Sequence, residues 1–159
     1  MAVACICFAD AASELKKATQ ANMDKMCAAM KKKDVARMEK VIRAVFSKTA
    51  VIQRSNGQKM KFEDWVQSMK GQMATLKSVS SCTFKINSMK VNGNKATSTE
   101  TFNMAAVISN GQNPKKNSTL SVVGTSETTY EKLNGKWMIT LSRDKTEKVL
   151  IDGKPAPGG

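Results

Sequence analysis

The sequence predicts an α+β fold in which N-terminal helices pack on an antiparallel sheet. Apolar residues recur at three- and four-residue steps before Ser78 and alternate with polar residues after it, which is typical of helices followed by strands. Asn-Gly pairs, which favour two-residue hairpin turns, separate the alternating segments at positions 92, 110 and 134. The chain has 159 residues, with no internal repeat and no linker, so we expect one domain.

Three helices are predicted ahead of the sheet. Ser13 is the expected N-cap of the first helix, and the three lysines that follow Met30 suit the negative end of its dipole. Asp34 is the expected N-cap of the second helix. A short strand that ends before Asn56-Gly57 lies between the second helix and the third. The predicted bounds are 13–33, 35–46 and 62–76 for the helices and 50–54 for the short strand.

Four long strands follow as an antiparallel meander. In the hairpin at Asn92-Gly93, strict alternation points Phe84 and Ile86 to one face of the first strand. Met89 and Val91 then point to the other face, so we expect a bulge or a longer turn that buries both pairs. The predicted strands are 82–91, 95–109, 119–133 and 136–150.

A two-residue turn at Asn134-Gly135 sets the register of the last hairpin and therefore the side chains that share a face. One face is expected to be apolar near the turn and polar further along, and the opposite face is expected to be solvated. The pairs expected on the first face are Lys132 with Trp137, Tyr130 with Ile139, Thr128 with Leu141, and Ser126 with Arg143.

The composition excludes several classes of chemistry. The sequence contains no histidine, which excludes Ser-His-Asp and Cys-His nucleophile systems, His general bases and His-ligated zinc or haem. Lys and Arg outnumber Asp and Glu by 26 to 13, giving a formal net charge of +13. A basic surface attracts polyanions without sequence preference. Because aromatic residues make up only 5% of the chain, we expect a solvated basic face and no specific nucleic-acid binding.

The first residues have features of an export signal. Ala2 to Ala9 is a short apolar run, and Ala9-Asp10-Ala11 has the small-x-small form of a signal-peptidase site. A positive n-region and a longer apolar stretch are missing. We therefore expect residues 1–11 to be the remnant of a truncated leader and the protein to be periplasmic or secreted. The alternative is a buried N-terminal strand or helix start in a cytoplasmic protein.

Two of the four cysteines fall in the expected domain. Cys27 and Cys82 could form one disulfide in an exported protein, or both could be buried small hydrophobes, and the pattern leaves these alternatives open. Cysteines without a repeated CxxC spacing and without histidine predict no metal site, and no cofactor is expected. No apolar run is long enough to predict a transmembrane segment.

The order of elements resembles the nuclear transport factor 2-like superfamily, which includes SnoaL-like polyketide cyclases and ketosteroid isomerases. Phe46-Ser47-Lys48-Thr49-Ala50-Val51-Ile52 is similar to the family's approach to its first strand, and residues 130–139 are similar to its penultimate hairpin. The resemblance covers residues 12–152. It implies a cone in which a curved antiparallel sheet wraps around the helices and encloses a pocket, with residues 153–159 as a flexible tail.

The catalytic residues of the ketosteroid isomerases do not carry over to this sequence. Their general base corresponds in position to Arg54, their oxyanion-stabilising Tyr to Met26, and their second donor falls near Thr129. An Arg does not abstract a proton at neutral pH, and a thioether does not donate a hydrogen bond. The sequence therefore favours a non-catalytic role.

The resemblance implies a mostly apolar pocket with a polar rim. Arg54 and Arg143 beside apolar surface would suit a carboxylate-bearing ligand. Glu100, a further rim residue, is expected to face Lys85 across a hairpin as a surface ion pair. Plain core packing is the alternative for the apolar members. The expected lining is Met26, Met30, Arg54, Trp65, Met69, Phe102, Ser126, Thr128, Tyr130, Ile139, Leu141 and Arg143.

The predicted function is the binding of a small, mostly apolar ligand in this pocket, without catalysis, and an anionic end on that ligand is left open. One alternative is an exported protein-interaction module with a filled cone, which uses the open face of its sheet. The other is nonspecific polyanion binding through the basic surface. We also expect a homodimer formed through the sheet, as the resemblance implies.

Overall fold

A computed structural model of the chain describes residues 3–110, 113 and 115–156, with side chains from Asp10 onward. The described residues form three helices and seven strands. The helices and five of the strands follow the order that the sequence predicts, and two short strands were not predicted. The helices are α1 (Val3–Lys31), α2 (Val35–Val45) and α3 (Phe62–Thr75). The strands are β1 (Phe46–Gln53), β2 (Lys59–Lys61), β3 (Leu76–Asn92), β4 (Lys95–Ser109), β5 (Asn117–Leu133), β6 (Lys136–Ile151) and β7 (Lys154–Pro155).

The strands form one sheet of order β2-β1-β6-β5-β4-β3, with β7 paired to β6, and the helices cover its inner face. The predicted α+β class and the antiparallel meander of β3 to β6 are confirmed. One pairing differs from the purely antiparallel expectation, because β1 joins β6 in parallel, with Val51 opposite Leu141. The sheet is therefore mixed, and β6 has neighbours on both edges.

The first helix is longer than predicted. It begins at Val3 rather than at Ser13. Residues 3–12 contain four alanines, which favour a helix, and no Gly or Pro that would end it. Ser13 is therefore an exposed residue inside α1 and not its N-cap. The second predicted cap is confirmed, since the Asp34 side chain accepts a hydrogen bond of 2.9 Å from the Arg37 amide. That residues 1–11 are a leader remnant stays a prediction.

The C-terminal segment begins with an ordered turn. Asp152 and Gly153 adopt positive φ angles of 51° and 78° and reverse the chain, so that Lys154 pairs with Ile151. The tail predicted at 153–159 therefore starts as the short strand β7, and residues 157–159 lie outside the described residues.

Helix α1 covers the outer edge of β3, an edge strand of the sheet. The amide of Gln20 donates a hydrogen bond of 2.6 Å to the Phe84 carbonyl oxygen and accepts one of 2.9 Å from the Ile86 amide. The Lys16 ammonium donates to the Asn87 carbonyl oxygen at 3.2 Å. These contacts satisfy backbone groups that an uncovered edge would leave open to pairing with another chain.

The bulge predicted in β3 is confirmed. The register with β4 shifts between Ile86 and Ser88, so Asn87 is the extra residue. Because of this shift, Phe84 and Ile86 share the inner face with Met89 and Val91, and all four pack on the core.

The β5–β6 hairpin contains two such shifts, and the sequence predicted neither. The pairs Lys132–Trp137 and Tyr130–Ile139 are confirmed around a turn at Asn134-Gly135, where both residues have positive φ. Beyond them the register shifts between Thr129 and Tyr130, and again between Thr125 and Ser126. The observed pairs in the shifted segment are Thr129 with Leu141, Thr128 with Ser142, Glu127 with Arg143, and Ser126 with Asp144.

A disulfide joins Cys27 of α1 to Cys82 of β3, with their Cα atoms 5.3 Å apart. Both residues are buried. The structure therefore selects the first of the two alternatives that the sequence left open. The bond ties the long first helix to the edge strand that it covers.

The disulfide predicts a non-additive mutational effect. The crosslinked residues are 55 positions apart, a span for which loop-closure entropy predicts a stabilisation of about 4 kcal/mol. Cys27→Ala, Cys82→Ala and the double variant should each lower the free energy of unfolding in urea by this same amount, because each removes the same bond. Losses that add between the two sites would contradict the bond.

Gly124 lies next to the second register shift of β6, where the backbone of β6 leaves no room for a side chain. A Cβ atom at this position would lie 2.9 Å from the Thr146 carbonyl oxygen. Gly124→Ala should therefore lower the free energy of unfolding by about 1–3 kcal/mol. The matched control is Gly71→Ala in α3, where nothing lies within 4 Å of the new atom. That variant should gain up to about 1 kcal/mol from helix propensity, and equal effects at both sites would refute the constraint.

Candidate functional site

A cavity of about 500 Å³ lies between the helices and the inner face of the sheet. Side chains of α1 and α3 form one wall, and alternate residues of β4, β5 and β6 form the other. Phe46 and Trp65 lie at its side, with ring centroids 5.1 Å apart. The cone-like arrangement that the resemblance implied is therefore present, and its interior is open.

The helical wall is rich in methionine. Among the residues that the structure describes, six methionines line the cavity, and five of them belong to α1 and α3. The flexible, polarisable thioether side chain adapts to the shape of a bound group better than branched side chains do. The six are Met23, Met26, Met30, Met69, Met73 and Met104.

The sheet wall is polar in its middle and apolar at both ends. Register places Glu100, Ser126 and Asp144 side by side on β4, β5 and β6, and we call these three residues the acidic row. Neighbouring strands are about 4.8 Å apart, so this row spans about 10 Å of the wall. The adjacent row towards the hairpin turns holds hydroxyl side chains, and the outermost rows are apolar. The hydroxyl row is Ser98, Thr128 and Ser142, and the apolar rows include Ala96, Tyr130, Ile139, Met104, Val122 and Val149.

Glu100 is a buried carboxyl group held by hydroxyls. It is 1% exposed, and its Oε2 accepts hydrogen bonds from Ser126 at 2.8 Å and from Thr128 at 3.1 Å. Its Oε1 accepts from the Ser98 hydroxyl. The oxygen of that hydroxyl is 3.1 Å from the Tyr130 oxygen. Since one hydroxyl carries one proton, Tyr130 donates to Ser98 when Ser98 donates to the carboxylate.

Burial raises the pKa of Glu100, and its three hydroxyl partners offset only part of this effect. The predicted surface ion pair between Glu100 and Lys85 is therefore wrong. The shift at Asn87 places Glu100 opposite Ile86 and Lys85 opposite Thr101, so the two charges lie on opposite faces of the sheet.

A positively charged residue, Arg54, also lines the cavity beside the acidic row. Arg54 Nη1 lies 3.9 Å from Asp144 Oδ2 and 4.0 Å from Glu147 Oε2. Both distances exceed hydrogen-bond length, so these ion pairs act through charge alone. Burial raises the pKa of Asp144, as does the nearby Glu147 carboxylate, and Arg54 offsets part of the increase.

Ten of the twelve residues predicted for the pocket line this cavity. They are Met26, Met30, Arg54, Trp65, Met69, Phe102, Ser126, Thr128, Tyr130 and Ile139. Leu141 and Arg143 are corrections, because the shift between Thr129 and Tyr130 turns both side chains to the outer face. There Arg143 lies 3.6 Å from the Glu127 carboxylate.

The acidic character of the wall was not predicted from the sequence. Asp144 and Glu147 were not among the predicted lining, and Glu100 was assigned to the surface. Strict alternation in β6 favours Arg143 over Asp144, so the signal needed was the register shift. Of the family's catalytic positions, Arg54 and Met26 line the cavity, whereas Thr129 faces outward next to Leu141.

Within residues 3–110, 113 and 115–156, no cluster of three or more His, Cys, Asp or Glu side chains could hold a metal ion. In the same part of the chain, no helix is both long enough and apolar enough to cross a membrane.

Comparison with known proteins supports the fold. No family model and no curated protein matches the sequence. A conserved protein from Planctomyces limnophilus has a similar structure, with a TM-score of 0.65 and 11% identity over 88% of this chain and 98% of that one. The Kfla4162 protein from Kribbella flavida has a TM-score of 0.63 and 11% identity over 86% of this chain and 95% of that one. A nuclear transport factor 2-like superfamily protein from Salmonella enterica serovar Typhimurium has a TM-score of 0.59 and 18% identity over 92% of this chain and 95% of that one.

The fold of this chain is thus that of the nuclear transport factor 2-like proteins, a cone of helices and curved sheet around a pocket. The structural similarity extends over most of each chain, while the identities are too low to carry a function from one protein to another. The resemblance seen in the sequence is confirmed at the level of fold.

Glu100 predicts a pH-dependent stability. Its pKa is raised above the 4.5 of an unperturbed Glu, so the folded protein holds this proton more tightly than the unfolded chain. Its stabilising contribution is complete below about pH 4.5 and is lost as pH rises through the folded-state pKa. Glu100→Gln keeps the shape without the charge, so its free energy of unfolding relative to wild type should increase with pH.

Urea unfolding of both proteins over a series of pH values measures this difference. Glu14→Gln removes an exposed carboxylate from α1 and serves as the matched control, because it leaves Glu100 and its surroundings unchanged. The difference between wild type and Glu100→Gln should change with pH far more than the difference for the control. A pH-independent difference at Glu100 would show that its carboxyl group is not buried as described.

Proposed function

We propose that the protein binds a small, mostly apolar ligand in the cavity of its cone. The observation that supports this proposal is the open interior of about 500 Å³ behind a methionine-rich wall. This volume is within the range of roughly 300–1,000 Å³ that small-molecule sites occupy. Protein interiors are otherwise close-packed. The open space therefore favours ligand binding over an interaction module with a filled cone.

The polar middle of the sheet wall would orient the ligand. Ser126 and Thr128 present hydroxyl groups beside apolar surface, a combination that fixes one end of a largely apolar molecule. The anionic end predicted from two arginines loses its support. Arg143 lies on the outer face, and Arg54 is already within 4.0 Å of two carboxylates.

The surroundings of Glu100 favour binding without catalysis. Both carboxyl oxygens are engaged by hydroxyl groups of the wall, and the side chain is 1% exposed. A ligand would contact Ser126 before it contacted the carboxyl group. A group held in this way defines the shape and polarity of the wall, whereas a general base needs direct access to the proton that it removes.

We also propose an extracytoplasmic location, because disulfides persist in oxidising compartments. Homodimerisation through the outer face and nonspecific polyanion binding through the basic surface remain predictions. Neither depends on the cavity.

The binding proposal predicts a difference between two neighbouring substitutions. Val122 points into the cavity, whereas Val123 points to the outer face and is 42% exposed. Val122→Trp fills the cavity and should weaken the binding of decanol at least tenfold in isothermal titration calorimetry. Val123→Trp adds the same ring outside and should leave the dissociation constant unchanged.

Circular dichroism and thermal unfolding of both variants verify that they are folded. Equal affinities in the two variants would place decanol outside the cone. A wild-type protein that binds neither decanol nor its amine and carboxylate analogues would refute the proposed function.

A further inference from the structure

The charge inside the cavity is opposite to the charge of the whole chain. The sequence carries a net charge of +13. Among the cavity-lining residues that the structure describes, however, three carry a carboxyl group and one carries a guanidinium group. They are Glu100, Asp144, Glu147 and Arg54. The local field therefore disfavours an anionic ligand even though the exterior attracts anions.

The two carboxylates beside Arg54 are placed to share one cation. Asp144 Oδ2 and Glu147 Oε2 lie within 4.0 Å of the same guanidinium nitrogen, Arg54 Nη1. Neither distance is a hydrogen bond, so the resident cation neutralises these carboxylates without donating to them. A primary ammonium group carries three donors on one nitrogen, so it can donate to a carboxylate at hydrogen-bond length, which the Arg54 guanidinium does not do here.

Partial burial makes a second positive charge favourable at this point. Burial disfavours the charged form of Asp144, and a single arginine offsets that effect only in part. Arg54, Asp144 and Glu147 all line the cavity, and about a quarter to a third of each side chain is exposed, so each reaches the open space. An incoming ammonium group would therefore meet two accessible carboxylates rather than a closed ion pair.

We propose that the ligand of this cavity is a cationic amphiphile, with its apolar body against the methionine wall and a protonated amine between Asp144 and Glu147. This inference rests on the proposed function, because it names the ligand class of the same cavity. Specificity for the amine follows from two effects. The carboxylates attract it, and they repel a ligand of equal shape that ends in a carboxylate.

Three ligands with the same chain separate these effects: decylamine, decanol and decanoate. Calorimetric titration at about 0.15 M ionic strength, where the Debye length is about 8 Å, screens the basic exterior. Ligand concentrations are kept below those at which micelles form. Decylamine should bind at least tenfold more tightly than decanol, and decanoate should bind more weakly than decanol.

Substitutions at the two sides of the ion pair provide the decisive comparison. Asp144→Asn should reduce decylamine affinity about tenfold and leave decanol affinity unchanged, and Glu147→Gln should act in the same direction if the first variant fails to fold. Arg54→Gln removes the competing cation and should strengthen decylamine binding. Glu127→Gln, a carboxylate on the outer face, is the matched control and should change none of the three affinities.

The outcomes distinguish the inference from the proposed function. Decanol and decylamine binding equally well would leave the proposed function intact and overturn the amine preference. Decanoate binding most tightly, with loss of that binding in Arg54→Gln, would overturn the inference in favour of an anionic ligand. Absence of binding by all three ligands would overturn both.

Discussion

The register of strand β6 decides which of its side chains face the cavity, and the character of this protein's interior depends on that choice. Side chains of a strand alternate between its faces, so a one-residue shift exchanges everything that the strand presents to the cavity. Two shifts against β5 reverse the phase between them and restore it afterwards. As a result Ser142 and Asp144 face the cavity, while Leu141 and Arg143 face outward. The cavity wall gains a carboxylate where simple alternation would have placed a guanidinium.

The rest of the sheet is arranged around that carboxylate-bearing segment. Glu100 and Ser126 lie beside Asp144 in one row, and hydroxyl groups on the adjacent row complete the hydrogen bonds of Glu100. A buried carboxyl group without such partners would cost several kcal/mol. Among the side chains that the structure describes, no buried polar atom lacks a hydrogen-bond partner. The hydroxyl row therefore makes an acidic wall compatible with folding, and it is fixed by the same register.

Much of the fold could be predicted from sequence because its signals are local. The Asp34 cap, the Asn134-Gly135 turn and the bulge in β3 each followed from a few adjacent residues. The bulge in β3 was visible because apolar residues change phase along the strand. In β6 the two shifts cancel, so Ile139 and Val149 on either side of them point to the same face. The alternation of apolar residues in the sequence therefore shows no irregularity. The wrong assignments of Leu141 and Arg143 have this physical origin, since register there depends on pairing with β5.

The two walls of the cavity divide the task of holding a ligand. The sheet wall is fixed by ladder hydrogen bonds and by the side-chain network around Glu100, so it suits recognition of one polar group at a defined place. The helical wall presents methionines, whose flexible side chains accommodate apolar bodies of different shape. The Cys27–Cys82 bond joins α1, which carries three of those methionines, to the sheet. The spacing between the walls is thereby held, while the surface of one wall remains adaptable. Such a cavity would be selective for the end of its ligand and tolerant of the ligand's body.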